Sequence, residues 1–112
     1  MLNDSDRKDL LITALEGGSN YWYFIPDVIR RKGQDLIDAI WEEVISGLSV
    51  TVQDLEDFEY LGDISIEGME TAESILEVDF PEVYQRILEG QYDAFDADLW
   101  FQLTVMGEVV FA

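Results

Sequence analysis

Residues 94–106 read Ala-Phe-Asp-Ala-Asp-Leu-Trp-Phe-Gln-Leu-Thr-Val-Met. Drawn as a helix, this segment carries large apolar side chains on nearly every side rather than along one stripe. A helix that is apolar all round is normally buried. We therefore predict a buried C-terminal helix over 94–106, around which the rest of the chain packs. The residues that follow, Gly107 to Phe111, are either the frayed end of that helix or a closing strand.

Helical periodicity and helix-end signals predict four more helices upstream of this segment. They cover residues 5–16, 33–46 and 65–78, and a short helix starts at Phe80-Pro81-Glu82 and ends at Gly90. The alternating, β-branched stretch 49–53 predicts a strand that returns antiparallel through 60–64. The aromatic run Tyr21–Ile25 fits either a short buried strand or an irregular segment. The expected fold class is α+β, mainly α: four to five helices around a buried C-terminal helix, with a small β-hairpin, in one domain spanning 1–112.

The composition supports a folded domain and restricts the chemistry available to it. Hydrophobic residues make up 48% of the 112 residues and aromatic residues 12%, which is more than a disordered acidic chain would carry. The chain has no cysteine and no histidine, so it lacks thiolate nucleophiles, zinc–thiolate ligands and the commonest proton shuttle. We expect no cofactor, no metal site and no enzymatic activity. No apolar run reaches the roughly 18 residues that span a bilayer, and the first residues lack the features of a signal peptide. We expect a cytoplasmic location.

The formal charge of −19 is unevenly distributed along the chain. Residues 1–32 carry five acidic and five basic side chains, whereas residues 33–112 carry twenty acidic side chains and a single basic one, Arg86. Such a surface repels nucleic acid and anionic membranes and attracts basic protein surfaces. A basic protein is therefore the expected partner, with no direct binding of nucleic acid or membrane.

Two of the predicted helices carry this negative charge in ordered rows. Along a helix, acidic residues spaced by three or four positions lie about 4.5–6 Å apart, which approaches the spacing of phosphates in a nucleic-acid strand. The rows could therefore occupy the cationic groove of a nucleic-acid-binding protein. The alternative is that both faces are simply solvated. The candidate partner-binding residues are Asp35, Asp38, Glu42 and Glu43 in one helix and Glu67, Glu70, Glu73 and Glu77 in the other.

A second candidate site follows the first predicted helix. Glycine amides, a hydroxyl and nearby basic side chains are the groups that a phosphate pocket needs, and aromatic rings can stack on a base. The alternative is that the glycines end the helix and the aromatic residues enter the core. The residues of this candidate ligand site are Gly17, Gly18, Ser19, Asn20, Tyr21, Trp22, Arg30 and Arg31.

Two stretches of the chain resemble a family of small phage and prophage accessory proteins. Residues 14–23, Ala-Leu-Glu-Gly-Gly-Ser-Asn-Tyr-Trp-Tyr, resemble their Gly-Gly-x-x-Tyr-Trp element. Residues 96–102 and the ending Met-Gly-Glu-Val-Val-Phe at 106–111 resemble their C-terminus. The family carries no assigned activity, so the resemblance implies no catalytic residues. It implies a viral context, in which small acidic proteins often inhibit host defences, and with it a location in the host cell cytoplasm.

These observations favour a non-enzymatic phage-type inhibitor of a host defence system, of the anti-CRISPR or anti-restriction class. It would mimic the charge of nucleic acid and occupy a cationic groove. Two alternatives stay open. One is a protein that binds a small ligand such as a nucleotide signal through the candidate ligand site. The other is a structural or interaction module whose apolar C-terminal segment forms a homodimer or larger homo-oligomer.

Overall fold

The computed structural model describes residues 2–26 and 32–111 of the chain. These residues form an α+β fold that is mainly helical, as predicted. The elements, in chain order, are α1 (Asp4–Thr13), a π-helical turn (Ala14–Gly18), β1 (Tyr23–Phe24), α2 (Leu36–Ile45), β2 (Val50–Asp54), β3 (Tyr60–Ile64), α3 (Ile66–Asp79), α4 (Pro81–Leu88) and α5 (Ala94–Met106).

Two of the predicted helices have different ends in the structure. The first passes into a π-helical turn after Thr13 instead of remaining α-helical to residue 16. The predicted helix 33–46 begins only at Leu36, because Gly33 has a left-handed backbone (φ +83°) and Asp35 is the N-cap. The Asp35 carboxylate accepts a hydrogen bond of 2.8 Å from the backbone N–H of Asp38. An acidic residue that sequence reasoning assigned to partner binding thus also starts a helix.

The sheet contains the predicted hairpin and one further strand. β2 and β3 pair antiparallel, with Val50 opposite Ile64. β1 adds to the other side of β2, with Tyr23 opposite Asp54, so the order is β1-β2-β3. The aromatic run therefore contains a short strand, although Phe24 is exposed and Tyr23 only half-buried. Residues 107–111 are neither helix nor strand. They fold back irregularly after Gly107, which caps α5 in the left-handed conformation.

Helix α5 is the centre of the core, as its sequence predicted. It packs against α3, β3, α1 and the π-helical turn, and Trp100 and Phe101 are completely buried. Strand β3 approaches α5 so closely that a Cβ atom on Gly62 would collide with the backbone carbonyl of Val105. No helix within residues 2–26 and 32–111 combines the length and apolarity needed to cross a membrane.

The close approach at Gly62 predicts that adding one methyl group there destabilises the fold. We expect Gly62→Ala to lower the free energy of unfolding by about 1–3 kcal/mol, because the added carbon forces β3 away from α5. Gly17→Ala is the matched control, since nothing lies within 4 Å of a Cβ at that position. The control should change stability by less than about 1 kcal/mol. Urea denaturation followed by tryptophan fluorescence measures both, and equal effects of the two substitutions would contradict this packing.

Candidate functional site

The predicted acidic rows on α2 and α3 are mostly solvent-accessible. Asp35, Glu42, Glu67, Glu70 and Glu77 are exposed, and Asp38 and Glu43 are partly buried. The exception is Glu73, which is only 6% exposed. The prediction that Glu73 faces a partner is therefore wrong. It lies about 60° around the helix from the buried Leu76, closer to the core than the other members of the predicted row, Glu67, Glu70 and Glu77.

Glu73 is neutralised by a residue of the first helix. Arg7 donates from Nε to Oε2 and from Nη2 to Oε1, both at 2.9 Å, and both side chains are buried. The pKa of Arg7 is raised, first by the hydrogen bond to Glu73 and further by the negative charges of Glu73, Glu70 and Asp4, against a lowering by burial. The sequence holds a signal for this pair. Arg7 shares the helical stripe of Leu10, Leu11 and Ala14, and a cation on a buried stripe requires an anionic partner.

Helix α1 also connects to the acidic face of α2. Lys8 Nζ lies 3.2 Å from Asp38 Oδ1, in a pair that is partly open to solvent. Since Arg7 and Lys8 are adjacent residues, the charged faces of α3 and α2 both adjoin α1. Sequence alone left open whether these two rows belong to one region of the molecule.

Two polar grooves extend the negative charge along α1. The first, of about 280 Å³, is lined by Arg7, Glu73, Ser74 and Tyr84, with Glu70 and Glu77 exposed at its border. Burial raises the pKa of Tyr84, and the negative charges of Glu77 and Glu73 raise it further. The second groove, of about 540 Å³, runs between α1 and the end of α4. Apart from Glu73, which is neutralised by Arg7, we call the carboxylates that line these grooves or pair with Lys8 the acidic surface: Asp6, Asp9, Asp38, Glu70, Glu77 and Glu89.

The single basic residue of the acidic half is used within the fold. Arg86 donates from Nε to Asp96 Oδ2 at 2.7 Å and from Nη2 to Asp96 Oδ1 at 2.8 Å. Asp96 also accepts from the backbone N–H of Asp93 and closes a capping box at the start of α5. The Arg86 guanidinium is the main reason that the pKa of Asp96 is lowered. This cation therefore stabilises the join of α4 to α5, and it also interacts with the neighbouring charges of Asp93 and Glu82.

The candidate ligand site folds onto a carboxylate of its own chain. Asp98 is 7% exposed. Its Oδ1 accepts from Ser19 Oγ at 2.7 Å and from Trp22 Nε1 at 2.8 Å, and its Oδ2 accepts from Tyr21 Oη at 2.7 Å and from Gln102 Nε2 at 3.0 Å. Burial and the bond to Asp98 raise the pKa of Tyr21 to about 12, so its hydroxyl keeps its proton.

Gln102, one helical turn after Asp98 on α5, holds the C-terminal segment. Gln102 Oε1 accepts hydrogen bonds of 2.9 Å from the backbone N–H groups of Val110 and Phe111, and Gln102 Nε2 donates to the Phe111 carbonyl at 3.0 Å. The Phe111 ring stacks on Trp22 with 5.1 Å between centroids. We call this set the Asp98 network: Ser19, Tyr21, Trp22, Asp98, Gln102, Val110 and Phe111.

The remaining residues of the candidate ligand site have separate positions. Gly17 and Asn20 are exposed, and Gly18 lets the π-helical turn lie against the backbone of Ala94, where a side chain would collide. Arg30 and Arg31 lie outside the described residues. The hydroxyl and ring donors that sequence reasoning assigned to a phosphate or nucleotide instead satisfy Asp98. The sequence signal for this was the pair Asp98 and Gln102, one helical turn apart in a helix that is mostly apolar.

Within residues 2–26 and 32–111, no group of three or more acidic side chains is placed to hold a metal ion. Comparisons with protein-family models, with curated proteins and with solved structures find no match for this chain. The similarity to phage accessory proteins thus remains a prediction from the two stretches, which the structure brings together in the Asp98 network.

The Asp98 network predicts an effect of removing one charge. We expect Asp98→Asn to lower the free energy of unfolding by roughly 2–4 kcal/mol. The amide keeps one oxygen acceptor, and its NH₂ group would face two of the donors that now bind the second carboxylate oxygen. Asp93→Asn is the control on the same helix, since asparagine also serves as an N-cap, and it should change stability by less than about 0.5 kcal/mol. Urea denaturation compares the two. Similar losses for both variants would show that the network contributes little.

The Arg86–Asp96 pair predicts a pH-dependent contribution to stability. Because the pKa of Asp96 is lowered in the folded state, the pair stabilises the fold above the ordinary carboxyl pKa of about 4 and loses this effect as pH falls through the lowered value. The difference in unfolding free energy between wild type and Arg86→Gln should be constant near pH 6 and shrink toward about pH 2. Arg86→Lys, which keeps the charge without the paired hydrogen bonds, should be intermediate. A difference that is independent of pH would contradict the assignment.

Proposed function

We propose that this chain is a non-enzymatic, phage-type acidic protein that inhibits a host defence system of the anti-CRISPR or anti-restriction class. It mimics the charge of nucleic acid and occupies a cationic groove on a basic, nucleic-acid-binding protein. The observation that carries the proposal is the acidic surface beside α1. There, carboxylates from three helices and from the loop after α4 surround a helix whose own cations, Arg7 and Lys8, are paired internally.

The arrangement suits recognition by a basic groove for two physical reasons. Along α3 the exposed Glu67 and Glu70 lie about 4.5 Å apart along the helix axis, and Glu77 follows two turns, about 10.5 Å, beyond Glu70. The row of negative charge therefore keeps its helical repeat, with the position of Glu73 missing. The surplus of acidic over basic residues produces a long-range field that accelerates encounter with a cationic partner and is weakened by salt. The proposed contact residues are the acidic surface together with the members of the two predicted rows that reach solvent. Those members, with Glu73 excluded, are Asp35, Asp38, Glu42, Glu43, Glu67, Glu70 and Glu77.

The two alternatives receive less support. A nucleotide pocket at 17–22 would need donors that Asp98 already occupies. A homo-oligomer formed through the apolar C-terminal helix is less favoured, because Trp100 and Phe101 are buried within the domain and Phe95 is the one large apolar side chain of α5 that is exposed.

The test compares two triple charge reversals that change the net charge equally. Glu70→Lys, Glu77→Lys and Glu89→Lys alter the acidic surface. Glu56→Lys, Glu59→Lys and Glu108→Lys are the control, since these residues are also exposed but lie in the hairpin turn and the C-terminal segment. The assay is DNA cleavage by a panel of purified restriction enzymes and CRISPR effector complexes at rising salt.

Wild type should inhibit at least one enzyme of the panel, more strongly at about 50 mM than at about 300 mM salt. Reversal at the acidic surface should raise the inhibitory concentration roughly tenfold or more, and the control by much less. Three outcomes would overturn the proposal: no inhibition across the panel, inhibition that salt does not weaken, or equal loss in both triple variants. The last would show that net charge matters and its placement does not.

A further inference from the structure

An open groove of about 490 Å³ lies over the Asp98 network, on the side of α5 that carries Phe95. Phe95 lies at the edge of the groove and is 84% exposed, and Tyr21 and Val109 are about half exposed. Such side chains normally avoid water, so their grouping around one concave surface marks a binding region. The lining residues are Gly18, Tyr21, Phe95, Asp96, Asp98, Leu99, Gln102, Val109 and Phe111.

The charge of this groove comes from Asp98. Asp96 is balanced by Arg86, whereas no lysine or arginine of the described residues lies within salt-bridge distance of Asp98. Four neutral donors hold the Asp98 carboxylate, and none of them supplies a positive charge. A neutral apolar ligand would remove further water from this anion at a cost. A cation in the groove would instead be attracted by it.

The walls of the groove fit a cation with an apolar stem. Leu99 and Val109 offer apolar contacts for methylene groups. A guanidinium can stack on the face of the Tyr21, Phe95 or Phe111 ring. The acceptor positions of Asp98 are already used, so a guanidinium would donate to the Tyr21 oxygen, which otherwise accepts a long hydrogen bond of 3.4 Å from Gln102 Nε2. That oxygen is made a better acceptor because its own proton is donated to Asp98 at 2.7 Å.

We propose that this groove binds an arginine side chain presented by a basic segment of the partner protein. The arginine stem packs on Leu99 and Val109, and its guanidinium stacks on Phe95 and lies against the Tyr21–Asp98 pair. Arginine is favoured over lysine because its planar, weakly hydrated head stacks on aromatic rings. Exposed apolar side chains beside the groove, including Val110, can contact the residues that flank the arginine in the partner's basic segment. This inference rests on the proposed function, since both require a basic partner.

The test uses short peptides and the folded protein. ¹⁵N-labelled protein is titrated with acetyl-Gly-Gly-Arg-Gly-Gly-amide, and with the same peptide carrying citrulline, which has nearly the shape of arginine but no charge. The reporters are the indole N–H of Trp22, the side-chain amide of Gln102 and the backbone N–H groups of Val110 and Phe111. We expect the arginine peptide to shift these four signals, also in about 300 mM salt where diffuse attraction is screened. The citrulline peptide should bind roughly tenfold more weakly or not at all.

Variants locate the binding. Phe95→Ser should weaken the arginine peptide about threefold to tenfold, and Val78→Ser, at an equally exposed position on α3, should leave its affinity unchanged. Three results would overturn the inference: equal binding of the citrulline peptide, no shift at the four reporters, or binding of free agmatine as tight as that of the peptide. The last would identify a site for a small guanidinium compound.

The same titration separates this inference from the proposed function. The triple reversal of Glu70, Glu77 and Glu89 should weaken inhibition of the defence enzyme roughly tenfold or more while leaving the arginine peptide shifts at the groove. If wild type inhibits but the groove does not respond, the arginine site alone is refuted. If the groove responds but no enzyme of the panel is inhibited, the proposed function is refuted.

Discussion

One buried carboxylate ties together the parts of this fold that are most distant in sequence. Asp98 accepts hydrogen bonds from three residues of the segment after α1: Ser19, Tyr21 and Trp22. It accepts a fourth from Gln102 on its own helix. Gln102 in turn holds the backbone of the C-terminal segment. An anion without these donors would be costly inside the protein, so the turn after α1 and the end of the chain are fixed in position by the same charge. The hydrophobic contacts of α5 alone are non-directional and would not specify that arrangement.

The large negative charge shapes how the few cations are used. Self-repulsion among the carboxylates disfavours the compact state, and an arginine or lysine on the surface could relieve it. Among the described residues, Arg7, Lys8 and Arg86 instead each bridge two helices: α1 to α3, α1 to α2 and α4 to α5, whereas Lys32 is exposed. These three cations therefore contribute to the assembly of the helices, and most of the acidic side chains of α3 remain exposed. Such an allocation is consistent with a surface whose negative charge serves recognition.

The fold was more predictable from sequence than the site. The apolar side chains on nearly every side of 94–106 were a strong enough signal to place α5 in the core, and the β-branched alternation around Val50 found the hairpin, because both signals are local. The role of Glu73 was missed because acidic residues at helical spacing look alike until the packing direction of the helix is known. The course of residues 107–111 could not be predicted, since it depends on a side chain of α5, Gln102, meeting backbone groups eight and nine positions later.

The carboxylates of this protein thus fall into two groups that sequence cannot separate. Glu73, Asp96 and Asp98 are buried and hold helices, turns and the C-terminal segment in place, whereas Glu67, Glu70 and Glu77 reach solvent. A variant that removes a buried carboxylate is expected to lose stability, whereas one that removes an exposed carboxylate tests the proposed interface. Charge reversal along the whole row of α3 would mix the two effects, because Glu73 lies in the middle of that row. Only substitutions that spare Glu73 therefore report on recognition by the acidic surface.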